Sequence, residues 1–168
     1  MRGRFIGRMD PPLTAAGRAS AAVKLASLNV RAIFASPLQR ARQTAEHIRG
    51  DAELIVVPEL AEMDFGEWEG LLWSEIQARS PEWAGRKLDN WFAFAAPGGE
   101  AWDAFRARMD RALERILAGP FPAAVVAHML VNAVLAERLL GAEPGQFFQK
   151  YGEVLECPAV LHPPAARR

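Results

Sequence analysis

The stretch AAVVAHMLVNAVL, Ala123 to Leu135, predicts a strand that ends near a histidine and passes directly into a helix. The residues before His128 are small or β-branched and can be buried on both faces, as a parallel strand of an α/β sheet requires. Those after it return to helical spacing. Open α/β sheets place ligands at the carboxyl ends of their strands, beside helix N-termini whose amides attract anions. His128 is therefore a candidate site residue, although its position alone favours a hydrogen-bonded structural role.

Apolar runs of strand length alternate with helical patterns along the rest of the chain. Thr14 predicts an N-cap for the first helix, and Ser36 followed by Pro37 predicts the start of the second. The predicted strands are RAIFA (31–35), ELIVV (53–57) and EVLECPAVL (153–161), and the predicted helices lie in AAGRASAAVKLASL (15–28), LQRARQTAEHIR (38–49), Leu72 to Arg79 and APGGEAWDAFRARMDRALERIL (96–117). This alternation indicates a layered α/β fold.

Composition excludes several classes of protein. The 168 residues fit one domain, and 20 basic residues balance 20 acidic ones, so no global charge favours nucleic acid or an anionic membrane as a partner. The single cysteine, Cys157, excludes an intrachain disulfide framework and a thiolate metal cage and favours a reducing compartment. No apolar run reaches the roughly 18 residues that span a bilayer. We expect a cytoplasmic protein without metal or other cofactor.

Two further segments carry candidate chemistry. A strand that ends at Ser36 delivers Arg40 to the start of the next helix, near the sheet edge that holds His128, and arginine suits phosphate because its charged fork donates several hydrogen bonds. The loop LAEMDFGEWEG (60–70) is rich in carboxyl groups, among them Glu62. A carboxyl in a partly dry loop can act as a general acid when burial raises its pKa. The alternative for each residue is a solvated surface position.

Five separated blocks resemble, in sequence and in order, the histidine phosphatase family, also called the phosphoglycerate mutase-like family. The blocks are GRFIGRMDPPLTAAGRASA, ASPLQRARQTAE, LAEMDFGEWEG, PGGEAWDAFRARM and VVAHMLVN. They run from Gly3 to about Leu140, and the short segment between the acidic loop and PGGE is most similar to the small phosphatase branch that includes α-ribazole phosphatases. The resemblance implies a three-layer α/β sandwich with a mostly parallel central sheet, in one domain over 1–168 with a helical cap at about 71–119.

The resemblance also implies a metal-free transfer of a phosphoryl group from a small phosphomonoester to a histidine and then to water. Carried over by motif, Arg40 is the phosphate-binding arginine, Glu62 the proton donor to the leaving oxygen and His128 the second histidine of the site. Gly3 and Arg4, which open the first matching block, are further candidates for substrate binding. No nucleic acid, membrane or metal is expected to take part.

The nucleophile of the family lies in an Arg-His-Gly motif at the end of a first strand, just before the block that GRFIGRMD matches. None of the three histidines, His47, His128 and His162, occupies such a motif, so these residues are expected to form no phosphohistidine by the family's route. Two interpretations stay open. The natural protein either carries a further strand with the motif, or it has left phosphatase chemistry and has its sheet completed by another segment or a second protomer, which would make a homodimer.

Residues after His128 favour the second interpretation. Met129 and Leu130 stand where the family commonly has glycines, and Ala133 replaces a common arginine. Glycine lets backbone amides approach an anion closely, so bulkier residues there narrow a phosphate pocket. Arg40 and Glu62 favour the first interpretation, because both retain the family's residue types. The sequence thus predicts either a phosphatase or a repurposed relative that binds an anion or a partner without turnover.

Overall fold

The computed structural model describes residues 3–19, 29–89, 95–150 and 152–157. Within these residues the strands β1 (Ala32–Ala35), β2 (Glu53–Val56) and β3 (Ala123–Val126) form one parallel sheet in the order β2-β1-β3. In the register of the sheet, Ala32 lies opposite Glu53 on one side and Ala123 on the other. The three strands predicted in these segments are confirmed.

Helices cover both faces of the sheet. They are α1 (Gln39–Ile48), α2 (Trp73–Arg79), α3 (Pro81–Asp89), α4 (Trp102–Leu117) and α5 (Met129–Leu140), and residues 15–19 are also helical. Short 3₁₀ turns lie at Pro58–Leu60, Gly66–Trp68 and Pro144–Gln146. The spacing of the buried residues in α4 is helical and gives it one apolar face: Phe105, Met109, Ala112, Leu113 and Ile116.

The side chains of β1 alternate between two cores, as successive residues of a strand point to opposite faces. Ala32 and Phe34 pack with the buried faces of α4 and α5. Ile33 and Ala35 pack with Ala45 and neighbouring residues of α1. The sheet therefore lies between two helical layers, and the predicted three-layer α/β architecture is confirmed.

The two predicted helix starts differ in outcome. The Gly17 amide donates to Thr14 Oγ1 at 3.0 Å, which confirms Thr14 as a cap. The prediction that Ser36 caps the next helix is wrong, because α1 begins three residues later and the Ser36 hydroxyl is hydrogen-bonded to His128 instead. The amide of Gln39 donates to Asp10 Oδ1 at 2.6 Å, so a distant loop caps α1.

The C-terminal strand prediction is also wrong where the structure describes it, since residues 153–157 form no strand and are exposed. The remainder of that predicted strand, residues 20–28 of the first predicted helix and the C-terminal tail with His162 lie outside the described residues. α2 and α3 pack on each other, whereas α4 packs against the sheet. The cap boundary at about 71–119 stays a prediction. None of the described helices is long and apolar enough to cross a membrane.

Candidate functional site

The carboxyl ends of the three strands bring together segments that are far apart in sequence. Ser36 directly follows β1, and His128 lies two residues beyond the end of β3. The chain leaving β2 reaches Glu62 a few residues after its end. Because parallel strands end at the same edge of the sheet, these residues face one region of the molecule.

His128 is buried and held by a serine. Its Nε2 lies 2.7 Å from Ser36 Oγ, which also accepts a hydrogen bond from the Leu38 amide at 3.2 Å. Burial, which has the largest effect, and the positive charges of Arg40, Arg8 and Arg108 together lower the pKa of His128 to about 3. The ring is therefore neutral near pH 7.

Glu62 lies in the same buried region. Its Oε1 accepts a hydrogen bond from the Met63 amide at 2.9 Å, and its Oε2 lies 3.5 Å from the amide of Leu130, in the first turn of α5. Burial raises the pKa of this carboxyl, and the two amides and the charges of Arg40 and Arg108 only partly oppose the rise. A carboxyl with a raised pKa beside the first turn of α5 can keep a proton and donate it.

Arg40, the second residue of α1, reaches back to the N-terminal loop. Its Nη1 donates to the carbonyl of Met9 at 2.7 Å and its Nη2 to the carbonyl of Gly7 at 2.8 Å. Its charge lowers the pKa values of both His128 and Glu62, behind the effect of burial on each. The structure thus places the candidates Arg40, Glu62 and His128 close enough together for the charge of Arg40 to act on both of the other side chains.

Arg4, next to Gly3, contacts residues outside the group formed by Arg40, Glu62 and His128. Arg4 Nη1 donates to Gly70 O at 2.7 Å and to Glu75 Oε2 at 2.8 Å, and Arg4 forms an antiparallel bridge with Leu72. These partners lie before and within α2 rather than around Glu62. A role of Gly3 and Arg4 in substrate binding stays a prediction.

Arg108 and Glu100 support the site and were not predicted. The Arg108 guanidinium forms two hydrogen bonds with the Glu100 carboxylate, at 2.9 and 2.7 Å. It also donates to backbone carbonyls on the approach to Glu62, including Ala61 O at 2.7 Å and Glu59 O. Burial raises the pKa of Glu100, but the hydrogen bonds and charge of Arg108, with smaller effects of the Asp64 amide and of Arg8, outweigh it, so the pKa lies below its usual value. Glu100 is therefore ionised near neutral pH.

Glu69 is one of the carboxyl groups of the acidic loop, but its role was not predicted, and Arg8 was missed altogether. Glu69 accepts hydrogen bonds from the amides of Arg8 and Met9, at 2.6 and 2.9 Å, and so fixes the loop whose carbonyls hold Arg40. Arg8 donates through Nε to Glu62 O at 2.6 Å. A sequence signal exists for Arg108, because a charged residue within the apolar stripe of a helix requires a partner. No comparable signal marks Arg8, which lies in an irregular loop.

The chemistry of these groups suits an oxyanion. Arg8, Arg40 and Arg108 contribute three positive charges, Glu100 compensates one of them, and the raised pKa of Glu62 favours its neutral form. No cluster of three or more metal-ligating side chains occurs in the parts of the chain that the structure describes. Positive charge directed at the phosphoryl oxygens and a proton donor are two of the features by which proteins promote phosphoryl transfer.

Curated proteins are similar to this chain in sequence. The "Bifunctional protein Rv2228c" of Mycobacterium tuberculosis is 34% identical over 154 residues, which cover 87% of this chain and 42% of that protein. The chain thus spans less than half the length of this relative. The "Adenosylcobalamin/alpha-ribazole phosphatase" of Escherichia coli is 30% identical over 83% of this chain and 72% of its own.

Solved structures share the fold. A putative α-ribazole-5′-P phosphatase from Escherichia coli aligns with a TM-score of 0.74 at 26% identity, over 86% of this chain and 74% of its own. TTHB049 from Thermus thermophilus aligns with a TM-score of 0.68 at 36% identity, over 84% and 78%. The sequence model of the histidine phosphatase superfamily (branch 1) matches residues 1–154. With that match over most of its length, the chain belongs to the histidine phosphatase superfamily.

Proposed function

We propose that this chain forms the phosphate-binding and proton-donating part of a phosphatase for small phosphomonoesters. The observation that carries the proposal is the position of the buried Glu62 carboxyl, which contacts the amides of Met63 and Leu130 at the start of α5, and whose pKa burial raises although Arg40 and Arg108 lower it. Such a carboxyl is protonated at a higher pH than an exposed one. It can therefore supply a proton to an ester oxygen as the bond to phosphorus breaks.

In this proposal Arg40 and His128 hold the phosphoryl oxygens. Arg40 supplies a charge that does not depend on pH, while neutral His128 supplies a ring hydrogen-bonding group fixed by Ser36. Both groups are already positioned without ligand, so little reorganisation is needed when charge develops on the phosphoryl oxygens. The proton leaves Glu62 as the alcohol departs, and the resulting carboxylate can accept a proton from water in a later hydrolysis step.

The phosphoryl acceptor of the family is a histidine in an Arg-His-Gly motif, and that tripeptide does not occur in these 168 residues. The 168-residue protein is therefore expected to bind phosphate esters and to acquire no phosphohistidine label. The protein made from its native gene should have its intact mass and N-terminal sequence determined. If it contains the motif, we expect it to acquire and lose the label, and to fail to do so when that histidine is replaced.

Binding is tested by isothermal titration calorimetry with O-phosphoethanolamine and inorganic phosphate. Arg40→Ala and His128→Ala are each expected to weaken binding by about tenfold or more, because each removes a side chain that can donate a hydrogen bond to a charged ligand. Arg42→Ala is the control, since Arg42 is exposed on the same helix. Absence of binding by the unmodified protein, or equal affinity in the Arg40→Ala and Arg42→Ala variants, would remove the basis of the proposal.

A second candidate is a family member that binds an anion or a partner without turnover. It is favoured by the two residues that follow His128, because both are bulkier than glycine and would narrow a phosphate pocket. Met129 is 49% exposed, and the amide of Leu130 lies beside Glu62. Phosphate binding by a native gene product that hydrolyses no phosphomonoester would support this candidate. Turnover of O-phosphoethanolamine by that product would reject it.

A further inference from the structure

The hydroxyl of Ser36 has one acceptor for its hydrogen. Its oxygen accepts a hydrogen bond from the Leu38 amide at 3.2 Å, and its only other partner in the described part of the chain is Nε2 of His128, at 2.7 Å. Ser36 is fully buried, so bulk water does not reach the hydroxyl. A hydroxyl has one donor and two acceptor lone pairs, and the Leu38 amide occupies one lone pair. The O–H of Ser36 therefore donates to Nε2 of His128.

The opposite direction of this hydrogen bond would leave a buried donor without a partner. If Nε2 carried the hydrogen and donated it to Ser36, the serine O–H would have no acceptor among the described residues. An unpaired donor in a fully buried position is unfavourable. A ring with a hydrogen on both nitrogens is also disfavoured, because burial and the charges of three arginines lower the pKa of His128 to about 3. The neutral ring that remains has its hydrogen on Nδ1.

Backbone contacts hold the two side chains in this pairing. Ser36 directly follows β1 and His128 lies two residues beyond β3, and these strands are hydrogen-bonded neighbours in the sheet. The amide of Ser36 donates to Val126 O at 3.0 Å, two residues before His128. The Leu38 amide restrains the hydroxyl oxygen itself. The hydroxyl is thus positioned at Nε2 before any ligand binds.

The second nitrogen of the ring is available to a ligand. Nδ1 of His128 has no hydrogen-bond partner among the described residues. The only fully buried side-chain nitrogen or oxygen without a partner in those residues is Glu137 Oε2, so Nδ1 keeps some contact with solvent. The oxygens of a phosphoryl dianion accept hydrogen bonds and donate none. They match a ring nitrogen that carries a hydrogen, whereas a lone pair on Nδ1 would repel them.

We propose that Ser36 is a positioning residue that holds His128 in the tautomer with hydrogen on Nδ1, so that the ring presents a hydrogen-bond donor to the phosphoryl group. The tautomer follows from the contacts of Ser36, whereas the identity of the ligand rests on the proposed function. Ser36 itself is fully buried and acts only through the ring. Its replacement therefore changes which ring nitrogen carries the hydrogen, an effect that a general loss of stability does not produce.

The tautomer is measured by long-range proton–nitrogen NMR correlation of the imidazole rings in the isotopically labelled 168-residue protein, at a pH well above the ordinary pKa of histidine. The signals of His128 are assigned by their absence from the spectrum of His128→Gln. We expect Nδ1 to have the chemical shift of a nitrogen that carries hydrogen and Nε2 that of a nitrogen that does not. The reverse pattern overturns the inference.

Variants test whether Ser36 is the cause. Ser36→Ala should move both nitrogen signals of His128 towards those of a mixture of the two tautomers, because the hydroxyl that selects one of them is gone. Ser36→Cys, which keeps a weaker donor, should move them part of the way and serves if Ser36→Ala does not fold. Ser74→Ala is the control, since Ser74 is exposed on α2, and should leave them unchanged. Unchanged signals in the Ser36 variants overturn the positioning role.

Titration of inorganic phosphate into the same sample tests the contact with the ligand. We expect the Nδ1 signal of His128 to shift and the signals of His47, which is exposed on α1, to stay in place. Phosphate binding detected by calorimetry without a change at Nδ1 overturns the donor role of the ring and leaves the proposed function standing. Absence of phosphate binding overturns the proposed function and the ligand contact with it, whereas the tautomer is measured without ligand and is decided independently.

Discussion

At the scale of single residues, His128 combines burial with a specific partner. Its ring nitrogen lies 2.7 Å from the hydroxyl of Ser36, which is itself fully buried. Taking a charged imidazolium out of water beside three arginines is unfavourable, so the folded protein strongly prefers the neutral ring. This preference has a measurable consequence for stability.

We expect the free energy of unfolding to fall as the pH is lowered from about 6.5 towards 3. The unfolded chain takes up a proton at the ordinary pKa of histidine, 6.5, whereas folded His128 takes it up only near 3. The slope contributed by His128 reaches about 1.4 kcal/mol per pH unit within this window. Above pH 6.5 the contribution is fully present and constant.

Glu62 contributes the opposite slope from pH 4.5 upwards, because its raised pKa lets the folded state hold a proton that the unfolded chain releases. The two effects are separated by comparing urea unfolding of the unmodified protein with His128→Gln across this pH range. His128→Gln should lose the part of the destabilisation that begins as the pH falls below about 6.5, while His47→Gln, at an exposed position of α1, should keep it. The same pH slope in all three proteins would contradict the neutral assignment of His128.

The chemical types of the site residues could be predicted from sequence, but their partners could not. A histidine after a buried strand and an arginine at the start of a helix are local patterns, and both led to residues of the cluster. The pairing of His128 with Ser36 joins residues 92 positions apart. The same hydroxyl looks like a helix cap when only its neighbours in sequence are considered, which is why Ser36 was assigned to α1.

At the scale of elements, two loops pack directly on each other beside the site. The amide of Glu67 donates to Pro97 O at 3.0 Å, and the amide of Glu100 donates to Asp64 O at 3.0 Å. Gly66 lies at this contact with a φ of +49°, which favours glycine. A Cβ at Gly66 would collide with Pro97 O and the Gly99 amide.

Gly66→Ala is expected to lower the free energy of unfolding by about 1–3 kcal/mol from backbone strain alone, and further through the collision. Relief of the collision would displace the loop that carries Glu100, so binding of O-phosphoethanolamine should weaken as well. Gly85→Ala is the control, since Gly85 lies within α3 with open space around it and helix propensity favours alanine by about 1 kcal/mol. Equal stability of the two variants in urea unfolding would show that the two loops do not depend on this contact.

Element types were easier to predict than element ends. The strands and the long helices follow from hydrophobic periodicity, which is a local property of the chain. The start of α1 depends on Asp10, 29 residues before Gln39, and no local pattern carries that information. The predicted C-terminal strand had the right composition, but β-propensity alone does not supply a neighbouring strand with which residues 153–157 could pair.

At the scale of the whole molecule, Arg108 and Glu100 connect three separate segments. α4 carries Arg108, the loop before α4 carries Glu100, and the chain after β2 supplies the carbonyls that Arg108 binds. Both side chains are nearly buried, with 11% and 14% of their surface exposed. Removing either partner leaves a charge without compensation in a region with little water.

A double-mutant cycle with Glu100→Gln and Arg108→Met should give a coupling free energy of about 1–3 kcal/mol, measured by urea unfolding. Asp110→Asn with Arg138→Met is the matched control, because that pair also joins two charged side chains but is more exposed, at 50% and 27%. Its coupling should be about 1 kcal/mol or less. A coupling of the Glu100 pair no larger than that of the control would mean that the network does not hold the Glu62 segment.

Two arginines hold the loops beside the site through hydrogen bonds to main-chain carbonyls. Arg40 binds the carbonyls of Gly7 and Met9, and Arg108 binds those of Ala61 and its neighbours. Every amino acid has a main-chain carbonyl, so substitutions at Met9 or Ala61 need not disturb these hydrogen bonds. The two loops can therefore diverge in sequence and acquire new ligand preferences while their course past the sheet is preserved, and this freedom lasts only while the two arginines themselves are kept.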